Sequence, residues 1–465
     1  MKNVSLSLYC FHQRDYLDDA PNSATFGAES IWESLTKVSE NLPFQELETL
    51  KSQLISYQYD KDIDDYQYQP KREEGLKTEW LTQNGEPIKF TPILTESGFR
   101  LEGTLQPFCL HDTYCLDITV TPELKEIEIG QISVFKPQFL ISKITANLGK
   151  VLTLYGESDE KGNSSLATAK WWVNQLCADT SLKPQFLSKI KLFNCPCFLF
   201  ESEDVTIIIA LAKPNQFDVK QADGNYSWLR ELFWTQKKIA ATYRESYESY
   251  QEARKIYGKL EATMDSFHDI VNKPFSRRLN SLEQLVQDIP QKLLYYNRFL
   301  RDLSAHQSTI KVNLDNFKTC LSHLREYQNN ELEFWVDLSN KKYPQYLRQI
   351  ETHIAYLKPS KDLLFSDLIT TIRTTTEIEK AKSNQDVQDN LQALGVGLTL
   401  GGVAAGRSSL LTEPWSWKGE TVELELPFPP FLVAIVLGLV FANLGYWGTR
   451  CLIKRKRSPT SKTRD

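Results

Sequence analysis

Two thiols separated by one proline, Cys195-Pro196-Cys197, form the pair in this chain best spaced to share a soft metal or exchange electrons. A structural zinc site needs two further ligands. Cys109, His111 and Cys115 could supply them only if two strands distant in sequence met; otherwise these thiols are buried core residues. His111-Asp112 has the composition of a base with its orienting carboxylate. On an extended strand neighbours point to opposite faces, which places the two poorly for pairing. The stretch 57 to 68, YQYDKDIDDYQY, gathers Asp60, Asp62, Asp64 and Asp65, carboxylates that a hard cation would use. It lacks the central glycine and closing glutamate of a calcium loop and reads as a solvated acidic loop. No phosphate-cradling glycine loop, nucleophile elbow, HExxH motif or dinucleotide fingerprint occurs. The expectation is a chain that is not an enzyme, with no catalytic residue, metal ligand or cofactor.

The elements that would position any site follow from the distribution of charge and apolar residues. The 465 residues allow two or three domains, and a formal net charge of -5 gives no reason to expect nucleic acid. A mean hydropathy of -0.39 describes the bulk, so membrane segments have to be found by position. Eight cysteines without regular spacing make no disulfide framework and favour a reducing compartment. The first eleven residues alternate towards a strand, without the apolar core or cleavage site of a signal peptide.

From 431 to 449, nineteen residues carry no charge, FLVAIVLGLVFANLGYWGT, which is about the length of a membrane crossing. Tyr446 and Trp447 stand near its end as interfacial aromatics do, and Arg450 with Lys454, Arg455, Lys456 and Arg457 follows. A second apolar run, 391 to 406, is glycine-rich and meets Arg407. Its small-residue pairs, Gly397 with Gly401 and Gly402 with Gly406, suit close helix packing in lipid; a re-entrant or interfacial stretch is the alternative. Between the runs, Glu413, Glu420, Glu423 and Glu425 outnumber Arg407 and Lys418. An acidic loop and a basic tail place both termini in the cytosol, with the chain in the inner (plasma) membrane.

The expected organisation is a cytosolic α/β or α+β domain over 1–226, an antiparallel helical stalk over 227–390, and a C-terminal two-helix transmembrane hairpin. The hairpin comprises a first membrane helix at 391–411, an acidic extracytoplasmic loop at 412–430 and a second membrane helix at 431–450, followed by a basic tail at 451–465. In the first domain, strands are expected at 4–11, 99–105, 114–120, 151–155, 198–201 and 205–212, with helices at 30–56, interrupted by Pro43, and at 167–177. In the stalk, Pro274, Pro290, Pro344 and Pro359 divide the helical pattern into pieces. Ile310, Leu314, Phe317, Leu321 and Leu324 give a coiled-coil-like seam too short to distinguish from ordinary bundle packing. A helix continuous from 360 to about 411 would be roughly 75 Å long and would couple the body to the membrane; a break near Ser383 and Asn384 is the alternative.

This order of parts resembles the CorA-type divalent-cation transporters. The resemblance lies in the architecture. Where that family ends its first membrane helix in Gly-Met-Asn, this chain reads Ala405-Gly406-Arg407-Ser408. The chain is also similar to a group of two-helix membrane proteins of cyanobacterial type, through Leu105-Gln106-Pro107 to His111-Asp112-Thr113-Tyr114 and the glycine-rich first segment, which implies no activity. The CorA resemblance implies a homo-oligomeric channel or transporter in the lipid bilayer, with Thr399 and Arg407 as candidate pore residues and the four glycines as packing residues. Magnesium selectivity does not follow. A cytosolic protein or a small molecule acting as regulator is compatible with the body's size, and a membrane-anchored sensor or interaction protein without transport is the alternative function.

Overall fold

The computed structural model describes residues 2–15, 24–70, 79–123, 127, 129–158, 165–326, 330–359, 366–383, 416–419, 422–425, 443–444 and 446–448. The strands are β1 (Lys2–Gln13), β2 (Tyr57–Asp60), β3 (Asp65–Tyr68), β4 (Glu79–Trp80), β5 (Ile88–Leu94), β6 (Arg100–Leu110), β7 (Thr113–Pro122), β8 (Gly149–Glu157), β9 (Gln185–Leu192), β10 (Cys195–Ser202), β11 (Val205–Ala212), β12 (Ser416–Gly419) and β13 (Val422–Glu425). The helices are α1 (Ser30–Val38), α2 (Gln45–Glu48), α3 (Leu50–Gln53), α4 (Pro137–Lys143), α5 (Leu166–Leu176), α6 (Val219–Gly224), α7 (Tyr226–Val271), α8 (Phe275–Arg325), α9 (Glu333–Asp337), α10 (Tyr343–Pro359) and α11 (Ser366–Ser383).

Nine strands form one sheet in the order β4-β6-β7-β1-β8-β11-β10-β9, with β5 also on β6. Its one parallel pair, β8 with β11, lies between two antiparallel groups. Alternation along β1 explains how the sheet takes two covers. Leu6, Leu8 and Cys10 join Ile31, Trp32 and Leu35 of α1 and Trp172 and Val173 of α5 in the main core. The intervening residues face the other way, where Tyr9 meets Phe233 of α7 edge to face at 5.3 Å. The β11 sequence VTIIIALA is apolar almost throughout because both sides of that strand are buried. Mixed α and β structure with long helices is thus the class of the described chain.

The chain divides into two compact units, 1–250 with 301–354, and 251–300 with 355–465. In the first, α8 runs antiparallel to α7, with His323 stacked on Trp228 and His306 near Ser249. The whole seam Ile310, Leu314, Phe317, Leu321 and Leu324 is buried. In the second unit, the Tyr296 hydroxyl donates to the Leu357 carbonyl at 2.8 Å, and Arg278 donates to Glu379 at 2.6 and 3.0 Å.

Two expectations are corrected. Pro290 does not end a helix; it lies inside α8, where the Val286 carbonyl lacks its usual donor four residues on. The 57–68 stretch is a hairpin, β2 against β3, whose Tyr57 and Tyr68 rings lie 5.5 Å apart while the aspartates gather at its turn. Cross-strand tyrosine pairing favours the strands despite the acidic composition. Within the expected acidic loop, β12 and β13 pair as a second hairpin. No helix among the described residues is long and apolar enough to cross a membrane. Both apolar runs lie outside the described residues, apart from helical backbone at 443–444 and 446–448. Gly397, Thr399, Gly401, Gly402, Gly406 and Arg407 also lie outside them.

Candidate functional site

The residues singled out by spacing do not come together. Cys195 and Cys197 are on β10, and Cys109, His111 and Cys115 belong to the β6–β7 hairpin; four strands lie between β10 and β6. At about 4.8 Å per strand the two groups are about 19 to 24 Å apart, too far to share a metal. All four of these cysteines are buried, and the neighbouring Cys197 thiol together with burial pushes the Cys195 thiol far up. A thiol so disfavoured as a thiolate is a poor nucleophile. The described residues contain no group of three or more metal-ligating side chains.

His111 and Asp112 sit in the tight turn joining β6 to β7, with His111 at φ 55°, so the extended geometry expected for them does not apply. They still serve different partners. The His111 ring stacks on Trp234 at 5.6 Å, and Asp112 accepts from Lys238 Nζ at 2.9 Å. Asp112 lies below the usual carboxylate range, because attraction and hydrogen bonding from Lys238 outweigh a large burial effect. Lys238 also donates to Gln13 on β1. The pair therefore ties α7 to two strands.

The contact with Lys238 leads into a buried polar layer between the sheet and the first half of α7. Register places Gln106 of β6, Asp117 of β7 and Tyr9 of β1 side by side in one row of the sheet. Tyr226, at the start of α7, reaches down to this row: its hydroxyl donates to Gln106 at 3.0 Å and to Asp117. Thr119 donates to the other Asp117 oxygen at 3.3 Å. Asp117 is 3% exposed. Burial pushes its carboxyl up to about 6, against the lowering effects of Tyr226, Thr119 and Arg230. One turn along α7, Arg230 lies over Phe108, 4.0 Å from the ring centroid, with Tyr226 and Trp80 at 5.4 and 5.7 Å.

Farther along, Lys237 is also buried and donates to the Asp204 carbonyl at 2.9 Å. Burial brings its ammonium down to about 8. A helix face carrying Arg230, Lys237 and Lys238 reads from sequence as solvated. The signal against that reading was the aromatic density around it, YSWLRELFW, which leaves no side of this segment free of large apolar groups. The layer encloses charged groups away from water, with the Asp117 carboxyl pushed up to about 6.

No family model matches the chain and no curated protein matches it. Among solved structures, the chain is similar to the complete structure of the CorA magnesium transporter from Methanocaldococcus jannaschii, at 12% identity over 73% of this chain and 95% of that one, with a TM-score of 0.16. An overlay this loose gives no residue correspondence.

Proposed function

We propose that the chain is a CorA-like oligomeric membrane channel or transporter with a large cytosolic regulatory body, its ion unidentified. The observation that carries this reading is the order of parts. A mixed α/β domain is followed by long antiparallel helices, then by α11, and then by two apolar runs with an acidic segment between them and a basic cluster after. The nineteen uncharged residues at 431–449 fit a bilayer crossing, and the basic flank fits a cytosolic tail. In this reading the run at 391–411 lines the pore, because it is glycine-rich and carries Thr399 and Arg407, while the bulkier second run faces lipid. Gly397, Gly401, Gly402 and Gly406 then allow close helix approach.

A membrane-anchored sensor or interaction protein is the second reading, favoured by Ala405-Gly406-Arg407-Ser408 standing where the CorA signature would be. Size in mild detergent separates the two. A closed ring of defined number supports the channel, whereas a monomer removes any central pore. Orientation is tested with Ser416→Cys and Ser458→Cys and a membrane-impermeant thiol label on intact cells. Labelling at 416 with protection at 458 is expected; the reverse overturns the orientation.

A further inference from the structure

We propose that Arg230 anchors a binding site for the oxyanion, a carboxylate or phosphoryl group, of a small molecule held between α7 and the β6–β7 strands. Arg230 is 3% exposed, yet among the described residues it forms no hydrogen bond and no ion pair, and its Nε is enclosed without an acceptor. The other cations of this layer are satisfied. Lys237 has the Asp204 carbonyl, and Lys238 has Gln13 and Asp112. Asp117, the acidic residue whose field reaches Arg230, directs its two oxygens to Tyr226 and Thr119 instead. The neighbours that Arg230 does have are rings. Phe108, Tyr226 and Trp80 hold the guanidinium without offering its N–H groups an acceptor in their plane.

A buried guanidinium without an anion is costly, and native structures retain such groups for a reason. Its planar fork of donors matches an oxyanion better than a spherical ion. At 3% exposure the guanidinium is out of reach of a nucleic-acid backbone. The ionisable groups facing Asp117 are Tyr9 on β1 and Tyr226 and Arg230 on α7. A second negative charge enters more readily when Asp117 is protonated, so binding should tighten as pH falls from 8 to 5.5. This site goes beyond the transport reading and stands whether or not the chain conducts ions.

The test is calorimetric titration of the detergent-solubilised full-length chain with sodium acetate and with inorganic phosphate at constant ionic strength, at pH 8 and pH 5.5. Saturable binding of at least one anion is expected, tighter at the lower pH and weakened at least tenfold by Arg230→Gln. Response to acetate alone names a carboxylate ligand, and response to phosphate alone a phosphoryl one; both support the site. Should Arg230→Gln fail to fold, Arg230→Lys is measured in its place, with a several-fold loss expected because the fork is gone. No saturable binding of either anion, or unchanged affinity in the folded variant, overturns the proposal.

Discussion

Tyr250 of α7 and His353 of α10 stack face to face, ring centroids 3.7 Å apart and planes 5° from parallel. Seven residues earlier on both helices, Tyr243 and Tyr346 repeat the arrangement at 3.7 Å and 6°. Equal spacing in the same direction means that α7 and α10 run parallel here, in a register of one heptad. Since α8 is antiparallel to α7, the first unit contains an up-down-up set of helices, and α7 also covers one face of the sheet. Anything that shifts α7 is thereby felt by both the polar layer and the helices.

If the stacks set this register, Tyr243→Leu and Tyr346→Leu should not act independently. A double-mutant cycle in urea unfolding should return a coupling of about 1 kcal/mol, the usual scale for aromatic pairs. Additive losses would mean that the rings are merely adjacent.

The Asp117 carboxyl has a folded-state value of about 6 against an ordinary value of 3.8. The folded state therefore binds more protons between these values, and stability falls as pH rises from about 4 to about 6, with the full penalty present above. Two units correspond to about 3 kcal/mol at most. Asp117→Asn keeps an acceptor for Tyr226 and removes the charge, so it should raise the melting temperature at pH 8 and change it little at pH 4. Destabilisation at pH 8 would show that the charged form is the one the fold requires.

Gly103 of β6 lies so close to β7 that a Cβ there would stand 2.3 Å from the Thr119 carbonyl oxygen. Backbone cannot give way as a flexible side chain would. Gly103→Ala should destabilise the first unit by roughly 1–3 kcal/mol, the range for overpacking, read by chemical denaturation. A neutral effect would mean that β6 and β7 slide apart at no cost.

In the second unit, Glu379 of α11 is nearly buried and takes two hydrogen bonds from Arg278 of α8. Arg278 also donates to the Val271 carbonyl at 3.1 Å, closing the end of α7. Removing the arginine leaves Glu379 charged and enclosed, whereas neutralising the glutamate leaves an arginine that is 22% exposed and can still reach water. Arg278→Ala should therefore cost more than Glu379→Gln, about 3 kcal/mol for the former, measured by the heat-induced loss of helical circular dichroism. Equal and small effects would place the pair among ordinary surface bridges.

The central strands were legible because burial on one or both faces imposes alternation or continuous apolar runs, as in SLSLYCF of β1 and VTIIIALA of β11. Edge elements were not. The β9 sequence QFLSKIKL is exposed along its first half and carries two lysines, so it lacks the pattern of a half-buried strand. The β2–β3 hairpin is held by tyrosine pairs within an acidic composition. Arg230 was hidden because its burial depends on Phe108 and Trp80 in strands distant in sequence, and Lys237 because its carbonyl partner Asp204 lies 33 residues back, at the turn between β10 and β11. His111 and Asp112 do not pair as a base with its carboxylate; the turn delivers Asp112 to Lys238 and His111 to Trp234.

Ion flux through liposomes carrying the purified full-length chain tests the central claim most directly, with Arg407→Glu alongside. A fixed positive ring at the pore mouth opposes cation entry, and reversing it should favour them. The protein should pass ions, and Arg407→Glu should move the reversal potential towards that of cations. Absence of flux under every ion gradient and with acetate or phosphate present, together with no effect of Arg407→Glu, would contradict the channel and leave the membrane anchor.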